Sequence, residues 1–419
     1  MRNQYKSNKT FGYGIPESFN ACVGQNGYIN IYDYQFGYQT AVKLLIDSIK
    51  KDSGLVDPLI YPLLFSARHC IELFLKRSIH LLEGINKMIN ENILFKNHLL
   101  IHDISVLWNY FKSLSTFDKR ISEQVNLLDE YVCDYYDVDL TGETFRYPFD
   151  TNNRHHLDDF SVINVLKFEK RYYEMIEIIE IINSLLDFLY IEYNTGTFSS
   201  GLSRSEIEQI SKKLPQKTEW MHESFDDISN KIKNEYNITS NKKYSKILNL
   251  IKNHKEFSFN IGIINVSTKL TKDDYDFYKK EYINSRDGKP PQGIKETDLN
   301  KIMKSYKRSI YRGKIKKIFN KVTVLFFGKS IKYKKPYLER KNEFIDIIMN
   351  KLSLESIASL CAFYDIGRDK LYSETYEKAY NYYSSKEKYD LIFTHLSDGY
   401  KRIEDIEKGI KKCGQIHLL

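Results

Sequence analysis

Apolar residues recur every three or four positions through most of the first 190 residues, the spacing that places them on one face of an α-helix. Five such segments are predicted. The first starts near Tyr34 and ends at Ser53–Gly54, because glycine adopts the left-handed helix cap readily. The second follows Pro58 and Pro62 and ends at Gly84. The other three cover about 98–111, 118–131 and 160–190. Five helices with short connections predict a helical bundle over residues 34–193.

Stretches rich in glycine and polar residues divide the chain into regions. Residues 1–33 contain several glycines and few periodic apolar positions, so an irregular N-terminal arm is predicted. The run Asn194–Ser203 has the composition of a flexible linker. A second glycine- and proline-rich stretch, Asp287–Gly293, separates a middle region, 204–290, from a last region, 294–419. The pattern assigns the middle region no role, and it predicts further helices in the last region at about 343–352, 354–364, 376–383 and 389–411.

Composition narrows the fold class to mainly α. The chain is 42% hydrophobic and 28% charged, which is typical of globular proteins. Only 19 glycines and 8 prolines occur in 419 residues, and this shortage favours long helices over many short strands and turns. The predicted architecture is an N-terminal helical bundle followed by a second, mostly helical region with a basic strip.

The five cysteines are far apart and never form a C-x-x-C pair, so neither a disulfide framework nor a four-cysteine zinc site is predicted. No metal and no cofactor are expected. No apolar run approaches the roughly 18–20 residues that a membrane-spanning helix needs, and the N-terminus lacks the apolar segment of a secretory signal. The expected location is the cytoplasm, with no membrane partner.

Basic residues are concentrated in one strip, residues 301–340. The strip contains fourteen Lys or Arg and one Glu, a net charge of +13, whereas the whole chain is +8 and the other 379 residues therefore sum to −5. Aromatic residues are interleaved with the cations, a combination that suits phosphates and bases. The predicted nucleic-acid-binding residues are Lys304, Lys307, Arg308, Tyr311, Arg312, Lys314, Lys316, Lys317 and Lys321. The alternative is a solvated lysine-rich face, or a basic cover over acidic surface elsewhere.

Polar residues share one sector of the second predicted helix. Arg68, Glu72 and Lys76 are spaced i, i+4 and i+8, and His69 lies about 100° around the helix from Arg68. His102 directly precedes the next apolar helix, and antiparallel packing of the two helices would bring it near this sector. The alternative is a surface ridge of Arg68–Glu72 and Glu72–Lys76 salt bridges.

Two motifs resemble the HEPN superfamily of small helical bundles. They are R-H-x-x-E-L-x-L-K, from Arg68 to Lys76, and H-D-x-x-x-L-W, from His102 to Trp108. The segment Phe145–Pro148, followed by Asp150, is similar to one in bacterial HEPN-like proteins. The resemblance covers about residues 34–192 and does not extend to 204–419. It implies a bundle of four to six helices, usually dimeric and often a metal-independent endoribonuclease of toxin, abortive-infection or other phage-defence systems.

The resemblance also implies roles for individual residues. Catalytic HEPN members carry an Arg that precedes a His by four to six intervening residues, and the nearest match here is Lys96 before His102. Lysine lacks the planar, bidentate fork of arginine, so the substitution would weaken stabilisation of the transition state. Attack of a ribose 2′-hydroxyl on its own phosphate needs a group that moves protons and cations that hold the phosphate. The catalytic candidates are His102 and His69 for proton transfer, Arg68, Lys76, Lys96 and Arg146 for phosphate oxygens, and Glu72 between them.

Two functional hypotheses follow. In the first, the bundle is an endoribonuclease, or a degenerate relative, of a bacterial anti-phage system, and the basic region engages nucleic acid. In the second, the protein is a non-catalytic module that binds nucleic acid or protein, and the bundle mediates dimerisation. RNA or another nucleic acid and a second copy of the chain are the expected partners.

Overall fold

The computed structural model describes residues 10–419 except 25–26, 28–29, 91–94, 96, 150–152, 158–159, 200, 265–267, 286–330, 370, 398 and 400, and leaves out the side chains of 331–340. Helices dominate, and within these described ranges the only β-pairing is two isolated bridges. The predicted mainly α fold class is thereby confirmed. Of the helices described, none combines the length and the apolar character needed to cross a membrane.

The chain divides into two compact units, residues 1–203 and 204–419. The boundary predicted at 287–293 lies outside the described residues. The long helices described in the first unit are α1 (Ile31–Lys51), α2 (Val56–Ile89), α3 (Ile104–Leu114), α4 (Lys119–Tyr136) and α5 (Val165–Tyr193).

The central helix of the first unit is α2, which packs against α1, α3 and α5. Its inward face is fully buried, with Ile71, Phe74 and Ile79 in the common core. The helix continues through Gly84, so the prediction that it ends there is wrong. A Cβ atom at Gly84 would lie 3.0 Å from the ring of Tyr190, so this glycine allows α5 to approach closely. The residue marks a helix contact and not a helix end.

Aspartates fix the starts of α3 and α4. The Asp103 side chain accepts a hydrogen bond from the backbone N–H of Val106, and Asp118 accepts one from that of Arg120. Such caps satisfy backbone donors that have no partner within the helix. Because Asp103 is the cap of α3, His102 stands directly before the helix, at its exposed entrance.

The second unit is also helical where it is described. Its longer helices are α6 (Arg204–Lys213), α7 (Ser224–Glu235), α8 (Asn241–Asn253), α9 (Lys272–Asn284), α10 (Ile331–Lys351), α11 (Leu354–Arg368), α12 (Tyr376–Ser384) and α13 (Arg402–Lys412). The helix predicted at 354–364 runs on to Arg368. A Cβ at Gly367 would collide with the Asp405 carbonyl of α13, so glycine allows these two backbones to touch.

Candidate functional site

Glu72 is the centre of a polar cluster on α2. Its carboxylate accepts hydrogen bonds from Arg68 one turn before it and from Lys76 one turn after it, the latter at 2.8 Å. The Nδ1 atom of His102 lies 2.9 Å from Glu72 Oε1, and Nδ1 of His69 lies 3.8 Å from Oε2. Two cations and two imidazoles therefore surround one carboxylate.

This environment keeps Glu72 ionised. Burial alone would raise the pKa of Glu72, but the His69 imidazole and the Lys76 and Arg68 cations outweigh burial and hold the pKa well below its usual range. An ionised carboxylate can only accept hydrogen bonds, so Nδ1 of His102 must be the donor. In neutral His102 the other ring nitrogen, Nε2, is then unprotonated and able to take up a proton.

Arg68 joins three separate segments of the first unit. Its guanidinium donates to Glu72 on its own helix and to the backbone carbonyl of His102 at the entrance of α3. It also donates to the carbonyl of Leu140, in the loop after α4, at 3.1 Å. The backbone N–H of Ile104 donates to the same Leu140 carbonyl, again at 3.1 Å. Arg68 thus sets the position of His102 relative to Glu72.

The loop after α4 is shaped to cover Arg68. The buried Asp139 carboxylate accepts hydrogen bonds from the backbone N–H groups of Gly142, at 2.8 Å, and Thr144, at 3.2 Å. Gly142 has a φ of +84°, and a Cβ there would lie 3.0 Å from the Arg68 guanidinium. Glycine suits both the positive φ and the close approach. Sequence analysis missed these residues, although Gly142 in an otherwise acidic loop was the available signal.

A row of planar side chains extends from His69. The ring of Tyr38 meets the His69 ring edge-on at 4.5 Å, and the ring of Phe65 stacks on it at 5.7 Å. The exposed Arg146 guanidinium lies 5.8 Å from the Phe65 ring, 5.5 Å from that of Tyr147, and donates to the Gly142 carbonyl. Arg146 therefore lies at the edge of the same cluster.

Burial separates the cluster into an inner and an outer part. The side chains of Arg68, Glu72 and Lys76 are 1%, 3% and 8% exposed, whereas that of His102 is 67% exposed and that of His69 is 25% exposed. The inner cations contact Glu72, and the outer imidazoles face solvent. A substrate at this surface would meet His102, His69 and Arg146 first.

The other predicted site residues lie outside the described residues. They are Lys96 and the predicted nucleic-acid-binding residues Lys304, Lys307, Arg308, Tyr311, Arg312, Lys314, Lys316, Lys317 and Lys321. Across the residues that are described, no three His, Cys, Asp or Glu side chains gather closely enough to hold a metal ion.

Comparison of the chain with protein-family models, with curated proteins and with solved structures gives no match. The functional interpretation therefore depends on the residues of the site and their geometry.

Proposed function

We propose that the first unit is a metal-independent endoribonuclease whose proton-transfer centre is His102 on Glu72. The observation that supports this most is the exposed imidazole with its Nδ1 atom 2.9 Å from a buried carboxylate whose pKa is held low. A carboxylate behind a histidine fixes the ring, selects its tautomer and stabilises the imidazolium that forms when the ring takes up a proton. The resemblance to the HEPN superfamily points to the same chemistry.

The proposed reaction is internal transesterification of RNA. His102 Nε2 removes the proton of a ribose 2′-hydroxyl, and the 2′-oxygen attacks the adjacent phosphorus. The bond to the 5′-oxygen of the next nucleotide breaks, and that oxygen receives a proton from a second acid. The products are a 2′,3′-cyclic phosphate and a 5′-hydroxyl. Because the nucleophile belongs to the substrate, the step needs no activated water.

The remaining residues take distinct roles in this proposal. His69 is the second acid, since it lies on the other oxygen of Glu72 and part of its ring is exposed. Arg146 is the exposed cation that meets the phosphate. Arg68 and Lys76 are positioning residues, because both are buried and both donate to Glu72. RNA as substrate, a homodimeric assembly, a cytoplasmic location and a part in anti-phage defence belong to the same proposal.

The test is cleavage of RNA in the presence of EDTA. His102→Ala is expected to lower the cleavage rate by about 10²- to 10⁴-fold, the usual contribution of a positioned acid or base. The variant keeps its fold because the His102 side chain is mostly exposed. His80→Ala is the matched control, since His80 is an exposed histidine on α2, the helix that carries Glu72. Loss of activity in EDTA, or equal rates for His102→Ala and wild type, would contradict the proposal.

One observation favours the second hypothesis, a non-catalytic bundle that mediates dimerisation and binds nucleic acid or protein. Two of the cations expected to hold phosphate, Arg68 and Lys76, are buried against Glu72, which leaves fewer cations at the surface. Under this hypothesis the purified protein binds its partner and self-associates, but neither wild type nor His80→Ala cleaves RNA.

A further inference from the structure

A cationic surface occurs in the described part of the second unit, on helix α8. One side of this helix is buried, with Tyr244, Ile247 and Ile251 in the interior. Lys242 and Lys246 are exposed opposite this side and Lys243 is exposed on its flank, and the sequence of α8 contains no Asp or Glu. The helix therefore presents an outer face that carries positive charge alone.

The lysines of this face differ from others in the same unit. Lys212, Lys213 and Lys255 each pair with a glutamate. Lys242, Lys243 and Lys246, by contrast, have no acidic side chain within ion-pair distance in the part of the chain that the structure describes. Their field is not neutralised locally, so the outer face of α8 attracts anions.

An aromatic ring lies at the C-terminal end of this face. The Trp220 ring stacks on Phe225 at 4.9 Å, and its indole N–H donates to the Pro215 carbonyl at 3.0 Å, which fixes its orientation. The Nζ atoms of Lys217 and Lys252 lie 4.5 and 5.4 Å from the ring centroid. Lys252 belongs to α8 and lies about 80° around the helix from Lys242, at 100° per residue, so the Trp220 ring adjoins the Lys242 side of the lysine face.

The N-terminal end of α8 extends the same surface. Lys233 of α7 donates to the Asn241 side chain, at 3.3 Å, and its Nζ lies 5.7 Å from the Tyr244 ring. From this point to Trp220 the surface follows the 13 residues of α8, about 20 Å at the rise of an α-helix. About six phosphates of a stacked strand, spaced roughly 3.4 Å apart, match that length.

We propose that this surface, Lys217, Trp220, Lys233, Lys242, Lys243, Lys246 and Lys252, binds single-stranded nucleic acid. The lysines contact successive phosphates, and an unpaired base stacks at Trp220. A membrane fits less well, because the apolar side of α8 is buried in the unit and cannot enter a bilayer. The surface is separate from His102 and Glu72, so the proposal holds whether or not the first unit cleaves RNA.

The test uses the full chain and a fluorescein-labelled single-stranded DNA oligonucleotide, which the proposed nuclease chemistry cannot cleave because it lacks the 2′-hydroxyl. The chain has two tryptophans, and Trp108 is buried in the first unit. Binding is expected to quench emission from Trp220. Trp220→Phe is expected to remove the quenching, and Trp220→Ala to weaken binding about 5- to 150-fold, the range for loss of one stacked base.

Salt dependence tests the lysines. Each phosphate contact contributes about 0.7 to the slope of log affinity against log salt for a single strand, so Lys242→Gln, Lys243→Gln and Lys246→Gln together are expected to flatten the slope by about 2. The control is Lys269→Gln, Lys280→Gln and Lys378→Gln, three exposed lysines of the same unit whose replacement changes net charge equally. The control is expected to keep the wild-type slope.

Three outcomes would overturn the proposal. The first is equal slopes for the α8 variant and the control variant. The second is quenching that persists in Trp220→Phe, which would place the strand near Trp108. The third is tighter binding to phosphatidylserine vesicles than to the oligonucleotide, which would make the surface a lipid contact.

Discussion

Replacing Arg68 by Ala is expected to destabilise the first unit by about 3–5 kcal/mol, the usual effect of removing one partner from a buried ion pair. The Arg68 and Glu72 side chains are only 1% and 3% exposed, so water cannot replace the lost guanidinium easily. The substitution also leaves the His102 and Leu140 carbonyls without the donor that joins them.

Arg171→Ala is the matched control. Arg171 lies on α5 of the same unit, and its partners Glu130 and Asp134 are 67% and 61% exposed. Exposed pairs contribute about 0–1 kcal/mol, so the control is expected to lose about 1 kcal/mol or less. The difference between the two variants is then about 2–4 kcal/mol.

The assay is urea denaturation followed by tryptophan emission in a Trp220→Phe background. Trp108 is then the only tryptophan, and it is buried in the core of the first unit, so the signal reports that unit alone. An unchanged m value would show that both variants unfold as the wild type does. If Arg68→Ala loses no more stability than Arg171→Ala, Arg68 does not hold the site together and the positioning role is wrong.

Two further predictions concern the same cluster. Glu72→Gln is expected to reduce the free energy of unfolding at neutral pH and to flatten the dependence of that free energy on pH. The folded-state pKa of Glu72 lies below the ordinary value of 4.5, so its contribution to stability is present above pH 4.5 and is lost as pH falls towards the folded-state pKa. Urea denaturation between pH 3 and pH 7 measures this change. A variant with the wild-type pH profile would disprove this. Gly142→Ala is expected to lose about 1–3 kcal/mol more stability than Gly196→Ala in the same denaturation assay. Both glycines have a positive φ, but only at Gly142 would a Cβ atom press against Arg68. Equal losses would show that the loop moves to accommodate the Cβ atom.

Helix geometry made part of the site predictable from sequence. Residues spaced i, i+4 and i+8 lie on one line of a helix, so the alignment of Arg68, Glu72 and Lys76 followed from their numbers alone. Their burial did not follow, because it depends on what packs over them. The loop around Asp139 and Gly142 covers Arg68 from about 70 residues away in the chain, and no local pattern records that contact.

Glycines show a second limit of the local pattern. Gly84 looked like a helix end, but it lies inside α2 where Tyr190 of α5 comes close, and Gly367 allows α13 to approach α11 in the same way. A glycine that ends a helix and one that admits a neighbour have the same sequence signature, and tertiary packing decides between them. The lysine face of α8 was missed for another reason, since the larger charge excess at 301–340 dominated the charge pattern.

The chemical nature of the RNA ends tests the central claim most directly. RNA incubated with the protein in EDTA is analysed by mass spectrometry, with His102→Ala in parallel. Transesterification at His102 predicts fragments that end in a 2′,3′-cyclic phosphate and begin with a 5′-hydroxyl, and no such fragments from His102→Ala. Fragments with 3′-hydroxyl and 5′-phosphate ends, or no fragments from the wild-type protein, would contradict it.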